Sequence, residues 1–365
     1  MTPAAVAVIR AAALRNNLQK VRELAPGCRI LAVVKANGYG HGLVAVARIL
    51  ARADALGVAR IEEGLQLRDA GIDSRIVVLG GFVGADELGE AAHHRLDLVV
   101  HGPGQLGLLE DARLPVDVWV KLDTGMGRLG IEPALLAGAL DRLRTSVAGG
   151  TIRLMTHLAA ADVPGSGQTS AQLAVFADAA AGWQGDISIA NSAAILRSAA
   201  LPAVQSAAPG ASNWVRPGLM LYGASPLPDR PAADLGLQPA MSFETRLVAV
   251  KRLARGQRVG YGGDWQAERD SVVGVAAAGY ADGYPWHSAR GTPVLVNGRP
   301  AQVIGRISMD MISIDLTGLP VAAPGDRVLL WGDELPVEEV ARHAGTIPWV
   351  LLTGVGQRVL RQVSD

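Results

Sequence analysis

The chain has 365 residues, 49% of them hydrophobic, 19% charged and 4% aromatic, which suits one large domain and a second, smaller one. Thirty-four basic residues balance thirty-four acidic ones, so charge argues against nucleic acid or an anionic membrane surface as partner. A lone Cys28 excludes an intrachain disulfide framework and suits a reducing compartment, and seven histidines without ligand spacing argue against a metal. The opening stretch MTPAAVAVIRAAALRNN is broken by Arg10 and Arg15 before an apolar signal core is long enough. No later run reaches the ~18–20 residues of a membrane span, and a cytoplasmic protein is expected.

From residue 30 one unit repeats: a short aliphatic run, a polar or glycine turn, and an Ala/Leu-rich stretch with helical spacing. The predicted strands are ILAVV (30–34), ALGVA (55–59), RIVVLG (75–80), LDLVV (96–100), VDVWVKL (116–122), TIRLMTHL (151–158), ISIA (187–190) and GLMLYG (218–223). Helices are predicted between them, among others at 42–51, 61–70, 134–143 and 170–181. Eight short buried strands alternating with helices predict an α/β fold, a closed (β/α)8 TIM barrel. The proline-rich segment 224–240 then marks a connection, and beyond it the period becomes two. A mainly β C-terminal domain follows, with a hairpin at Asn297-Gly298 and one predicted helix, PVEEVARHAG (336–345). The expected domains are 1–232 and 233–365, with the extreme N-terminal residues as a candidate extra strand of the second.

In such a barrel the loops after the strands build the active site. Lys35 ends the first predicted strand and opens the glycine-spaced loop ANGYGHG. Desolvation there lowers an ammonium pKa, as a Schiff-base amine requires, although a lysine snorkelling from a strand rim reads equally well. The loop KLDTGMGRLG (121–130) offers Arg128 for an oxyanion with Lys121 or Asp123 beside it, or else a surface ion pair. His157 ends the sixth strand, as a ligand-side group or a satisfied core histidine. Asn191-Ser192 opens a helix, as a phosphate site or an ordinary N-cap. Arg216-Pro217-Gly218-Leu219 is expected to introduce the eighth strand. In the β domain, VGYGGDW, GYADGYPW and GRISMD concentrate Tyr261, Tyr280 and Tyr284 in two loops, where Gly260 and Gly262 give Tyr261 freedom to approach a ligand.

Nine segments in order resemble the alanine racemase family: VVKANGYGHG, KLDTGMGRLG, THLA, ANSAAIL, VRPGLMLYG, VGYGGDW, GYADGYP, GRISMDM and TIPWVLLTGVGQRV. They run from near residue 30 to near residue 360. The resemblance implies a pyridoxal 5'-phosphate (PLP) enzyme interconverting L- and D-alanine for peptidoglycan, built as a homodimer with shared sites. On that pattern Lys35 would hold PLP covalently and act as one base, and Tyr261 from the partner subunit would be the second. Arg216 would bond the pyridine nitrogen, and His157 would support Arg216 and Tyr261. Arg128 would contact the cofactor and the substrate carboxylate, oriented by Lys121. Tyr39, Asn191, Ser192, Gly218 and Leu219 would hold the cofactor, chiefly its phosphate. Met309 and Tyr280 would meet the substrate.

Three positions depart from the family pattern. Trp349 stands where a phosphate-bonding tyrosine is usual, leaving Trp349 a candidate cofactor contact. Trp286 stands where an arginine is common, and Ser308 where many members have cysteine. Two alternatives follow: a racemase of broader specificity, and a barrel-type PLP amino-acid decarboxylase. The second would place a carboxylate where this chain has Arg216. A PLP carrier without turnover would lack the β domain.

Overall fold

The computed structural model describes residues 5–147, 149–197, 213–288 and 290–365. Its first strand is β1 (Ala5–Arg10), followed by β2 (Arg29–Val33), β3 (Ala55–Val58), β4 (Ile76–Val78), β5 (Leu96–Val100), β6 (Val118–Lys121), β7 (Ile152–Met155), β8 (Ile187–Asn191) and β9 (Asn213–Arg216). Strands β2 to β9 close into a barrel in chain order, every pair parallel. Burial explains their composition. All five residues of β5 are buried, because helices cover the outer face and side-chain layers fill the inner one. The helices Leu43–Ile49, Ile61–Asp69, Leu136–Ser146 and Gln168–Ala179 fall on the predicted stretches.

The eighth barrel strand corrects the expectation. It is Asn213–Arg216, upstream of the predicted run GLMLYG. That run follows Pro217, which has no N–H for a ladder, and folds as a buried 3-10 turn, Leu219–Tyr222, stopped by Gly223 at φ +78°. Arg216 therefore ends a strand where it was expected to begin one.

The second domain holds β10 (Met241–Leu253), β11 (Arg258–Val259), β12 (Trp265–Gln266), β13 (Ser271–Ala276), β14 (Pro293–Val296), β15 (Arg299–Ile304), β16 (Ile312–Asp315), β17 (Arg327–Trp331) and β18 (Leu360–Ser364). The main sheet runs β13-β16-β15-β14-β17-β10-β1-β18, and β13 also pairs with β10, so six strands close on themselves. Asn297 and Gly298, at φ +50° and +75°, turn β14 into β15 as the tight hairpin demands. Strand β1 lies antiparallel to β10 and parallel to β18, so the start of the chain is built into this sheet. A second correction concerns the helices: besides Val337–His343 the domain has Pro348–Gly354. Pro348 sits at its first turn, where a missing N–H costs nothing, and Leu351 and Leu352 are buried.

The helix Ala11–Leu24, which the pattern did not predict, joins the two domains. Its wholly buried Asn17 donates to the Leu221 and Gln238 carbonyls (3.0 and 2.8 Å) and accepts from the Gln238 N–H (2.9 Å). Among the described residues no helix is long and apolar enough to cross a membrane.

Candidate active site

The C-terminal ends of the barrel strands carry the predicted residues. Lys35 lies two residues beyond β2, His157 two beyond β7, and Lys121, Asn191 and Arg216 are the last residues of β6, β8 and β9. They line one cavity of about 540 Å³ together with Tyr39, Arg128, Ser192, Gly218, Leu219 and Trp349. Tyr261, Tyr280 and Met309 do not line it. Their side chains sit on β-domain loops, 69%, 41% and 53% exposed. The loops of Tyr280 and Met309 are joined by backbone bonds from Tyr280 to the Ser308 carbonyl (3.1 Å) and from Ala281 to the Met309 carbonyl (3.0 Å).

Arg216 is buried, and its guanidinium donates to Ser188 Oγ (2.7 Å) and to the carbonyls of Thr156 and Ile189. Burial lowers its pKa to about 10, so it stays charged at neutral pH. One of its nitrogens is 3.4 Å from His157 Nδ1. Burial, with Arg216, Lys121, Arg128 and Lys35 around it, pushes His157 down to about 3. The imidazole is therefore neutral, accepts from Arg216 at Nδ1 and carries its proton on Nε2. Burial also lowers Lys121, to about 8, assisted by Arg216, Arg128 and Lys35. For Lys35 burial again leads, followed by Arg128; Glu63 opposes the shift and Arg216 adds to it.

Asp123 does not neutralise this wall of cations directly. One of its oxygens accepts three backbone N–H groups, from Gly125, Met126 and Gly127, at 2.9–3.0 Å, which holds its pKa low against the effect of partial burial. A cavity with this sign suits a ligand bearing several negative charges.

At the other side Ser192 Oγ accepts the Gly218 N–H (2.8 Å). A Cβ on Gly218 would fall 2.4 Å from Tyr39 Oη, so the absence of a side chain there makes room for the phenol. Asn191 is an N-cap: its Oδ1 accepts from Ala194 and its Nδ2 donates to the Leu158 carbonyl, both at 3.1 Å.

The loop after Lys35 is a left-handed turn. Ala36, Asn37, Gly38 and Tyr39 have φ of +53°, +55°, +62° and +50°. Each non-glycine residue there costs about 1–2 kcal/mol, so the surroundings must over-determine the conformation. They do. Asn37 Oδ1 accepts from Leu43 (2.9 Å), His41 Nδ1 bonds the Tyr39 carbonyl (2.8 Å), and Arg361 donates to the Gly40 carbonyl (2.6 Å). The Tyr39 ring stacks on the buried Tyr222 at 4.5 Å, and Tyr222 Oη donates to the Val33 carbonyl (3.0 Å). Sequence reasoning missed Tyr222 and His41 as supports. The only signal was their place within LYG and GYGHG, beside residues already singled out.

The residues 9–226 match the family described as alanine racemase, N-terminal domain, and 240–363 match its C-terminal domain. The chain belongs to the alanine racemase family. It is thereby an isomerase. It is 52% identical over 359 residues to the alanine racemase of Nitrosococcus oceani, covering 97% of this chain and 98% of that one. The biosynthetic alanine racemase of Pseudomonas aeruginosa superposes with a TM-score of 0.93 at 42% identity, all of both chains being covered. The alanine racemase of Bartonella henselae, with covalently bound pyridoxal phosphate, gives 0.86 at 28% identity over 99% of each chain. Of the departures from the alanine racemase pattern, Trp349 is half-buried in the cavity wall, whereas Trp286 is 61% exposed on the loop after Tyr284. Ser308 offers its carbonyl to Tyr280.

Proposed function

We propose that the chain interconverts L- and D-alanine with pyridoxal 5'-phosphate, using Lys35 and Tyr261 as bases on opposite faces of the substrate. The convergence of Lys35 and Arg216 on one cationic cavity carries the reading. The residues present fit the cofactor: the cations suit a phosphate and a carboxylate, the bare Gly218 admits Tyr39 Oη, and burial favours the nucleophilic neutral amine of Lys35. When bound, the cofactor supplies the electron sink that makes the substrate α-proton labile.

Lys35 holds the cofactor and moves a proton at the substrate Cα from one side. Arg216 would hold the ring of the bound cofactor while keeping its own proton, since a pKa of about 10 leaves it charged at neutral pH, and this would restrain side reactions such as decarboxylation. Neutral His157 keeps the guanidinium aligned. Arg128 binds the substrate carboxylate, with Lys121 orienting it. Tyr39, Asn191, Ser192, Gly218 and Leu219 hold the phosphate end, with Trp349 beside them.

Tyr261 lies off the cavity of its own chain and is largely exposed, which supports its delivery to a second copy in a homodimer, together with Tyr280 and Met309. On this reading residues 1–232 hold the cofactor and 233–365 lend Tyr261. The proposed cellular role is supply of D-alanine for peptidoglycan in the cytoplasm.

Borohydride reduction followed by peptide mapping should fix the cofactor on Lys35, and Lys35→Ala should lose it; a label elsewhere refutes the assignment. Mixing Lys35→Ala with Tyr261→Ala chains should restore part of the racemisation, because one mixed site holds both bases. No recovery after demonstrated subunit exchange sinks the shared site.

A further inference from the structure

Glu63 has no part in the roles above. It sits in the first turn of the helix Ile61–Asp69, three residues after Arg60, where a glutamate ordinarily reaches back to cap its own helix. One oxygen does this: Oε2 accepts the N–H groups of Ala59 (2.7 Å) and Arg60 (3.3 Å). The other leaves the helix altogether. Oε1 accepts the N–H of Ala36 (2.7 Å), 27 residues away on the neighbouring barrel loop.

That N–H belongs to the peptide unit that follows Lys35, and Ala36 is the first residue of the left-handed turn. The far end of the turn is held from within, by Gly40 on the Ala36 carbonyl (3.0 Å) and Gly42 on the Asn37 carbonyl (2.8 Å). Glu63 holds the near end. We propose that Glu63 is a positioning residue, its carboxylate clamping the peptide after Lys35 to the end of strand β3 and so setting the direction of the Lys35 amine. The proposal rests on the reading of Lys35 as the amine that holds the cofactor. The carboxylate acts electrostatically in the same place, since it favours the Lys35 ammonium against the opposing Arg128 and Arg216.

The test compares the parent holoenzyme with Glu63→Gln and Glu63→Asp. Glutamine keeps one acceptor oxygen and loses the charge; aspartate keeps the charge but is one methylene too short to bridge both loops. Both variants should exchange the Ala36 amide hydrogen roughly tenfold faster or more, the loss expected for a bond to a charged acceptor. Both should also release the cofactor on dialysis roughly tenfold faster. In the cofactor-stripped full chain, the pH profile of Lys35 labelling by an amine reagent should move to lower pH in Glu63→Gln alone.

Ala36 exchange and cofactor release within about twofold of the parent overturn the clamp. So does a fall in Tm with both readouts unmoved, which marks a plain helix cap. Should Glu63→Gln fail to fold, Glu63→Asp decides by the same two readouts. If borohydride does not attach the cofactor to Lys35 in the parent, the functional reading fails, while Ala36 exchange still tests the clamp.

Discussion

His41 is wholly buried, and because the Tyr39 carbonyl accepts from its Nδ1, its Nε2 carries no proton and has no hydrogen-bond partner among the described residues. Charging that ring would put a cation in the core near Arg361, so burial holds it at about 4 against an ordinary 6.5. The unfolded chain therefore binds a proton that the folded chain refuses between these values. Stability is fully present above pH 6.5 and is lost as the pH falls towards 4. At about 1.4 kcal/mol per pH unit the loss is on the order of 3 kcal/mol. Urea denaturation at pH 7 and pH 4 should show it, and His41→Asn, which keeps a donor for Tyr39 but does not titrate, should flatten the dependence. His157, held near 3, acts in the same direction. The site's residue types were legible at this scale, since Lys35, Arg128, His157 and Arg216 all reach one cavity. Their charge states were not, because burial and neighbouring cations set them.

The left-handed turn and the helix Pro348–Gly354 depend on each other. Gly40 has φ +81°, and a Cβ there would lie 1.9 Å from the Leu352 carbonyl. Gly71 has a similar φ of +75° with nothing within 4 Å of the added carbon. Gly71→Ala should therefore lose only the backbone cost, roughly 1 kcal/mol in chemical denaturation. Gly40→Ala should lose about 1–3 kcal/mol more, and should release cofactor faster because the displaced helix carries Trp349 of the cavity wall. Equal losses in the two variants would show that the contact is soft. Periodicity found seven of the eight barrel strands and most helices it was applied to, but it placed the eighth at GLMLYG instead of Asn213–Arg216. An apolar run bounded by glycines has the same composition whether it is a buried strand or a buried turn, and Pro217 was the cue for the second.

Opposite the cavity, the N-terminal ends of the barrel strands form an ion-pair floor. Arg153, buried, reaches Asp117 (3.2 Å), Asp97 (3.6 Å) and Asp186 (3.3 Å) and lies over the Trp119 ring. Arg75 bonds Asp97 and Asp117, both at 2.8 Å, and Arg29 approaches Asp186 over Trp214. Removing the central cation leaves three carboxylates crowded at the rim of the core. Arg153→Met should lose about 3–5 kcal/mol in urea denaturation while cofactor retention is unchanged, because this end of a barrel serves stability and the other end chemistry. Loss of cofactor with unaltered stability would contradict that division.

By itself the sequence determined the alternation of strands and helices in the barrel, the change to a β domain after the proline-rich segment, and which polar side chains at strand ends face one cavity. Local periodicity and turn chemistry encode all of these within a few residues. Only the tertiary structure decided that β1 pairs between β10 and β18, that Arg216 closes a strand, and that three non-glycine residues follow Lys35 left-handed. The left-handed turn rests on contacts across long separations: 27 residues from Ala36 to Glu63, 189 from Val33 to Tyr222 and 321 from Gly40 to Arg361. A strained turn is stable only when such distant groups meet it together, and no window along the chain contains them both.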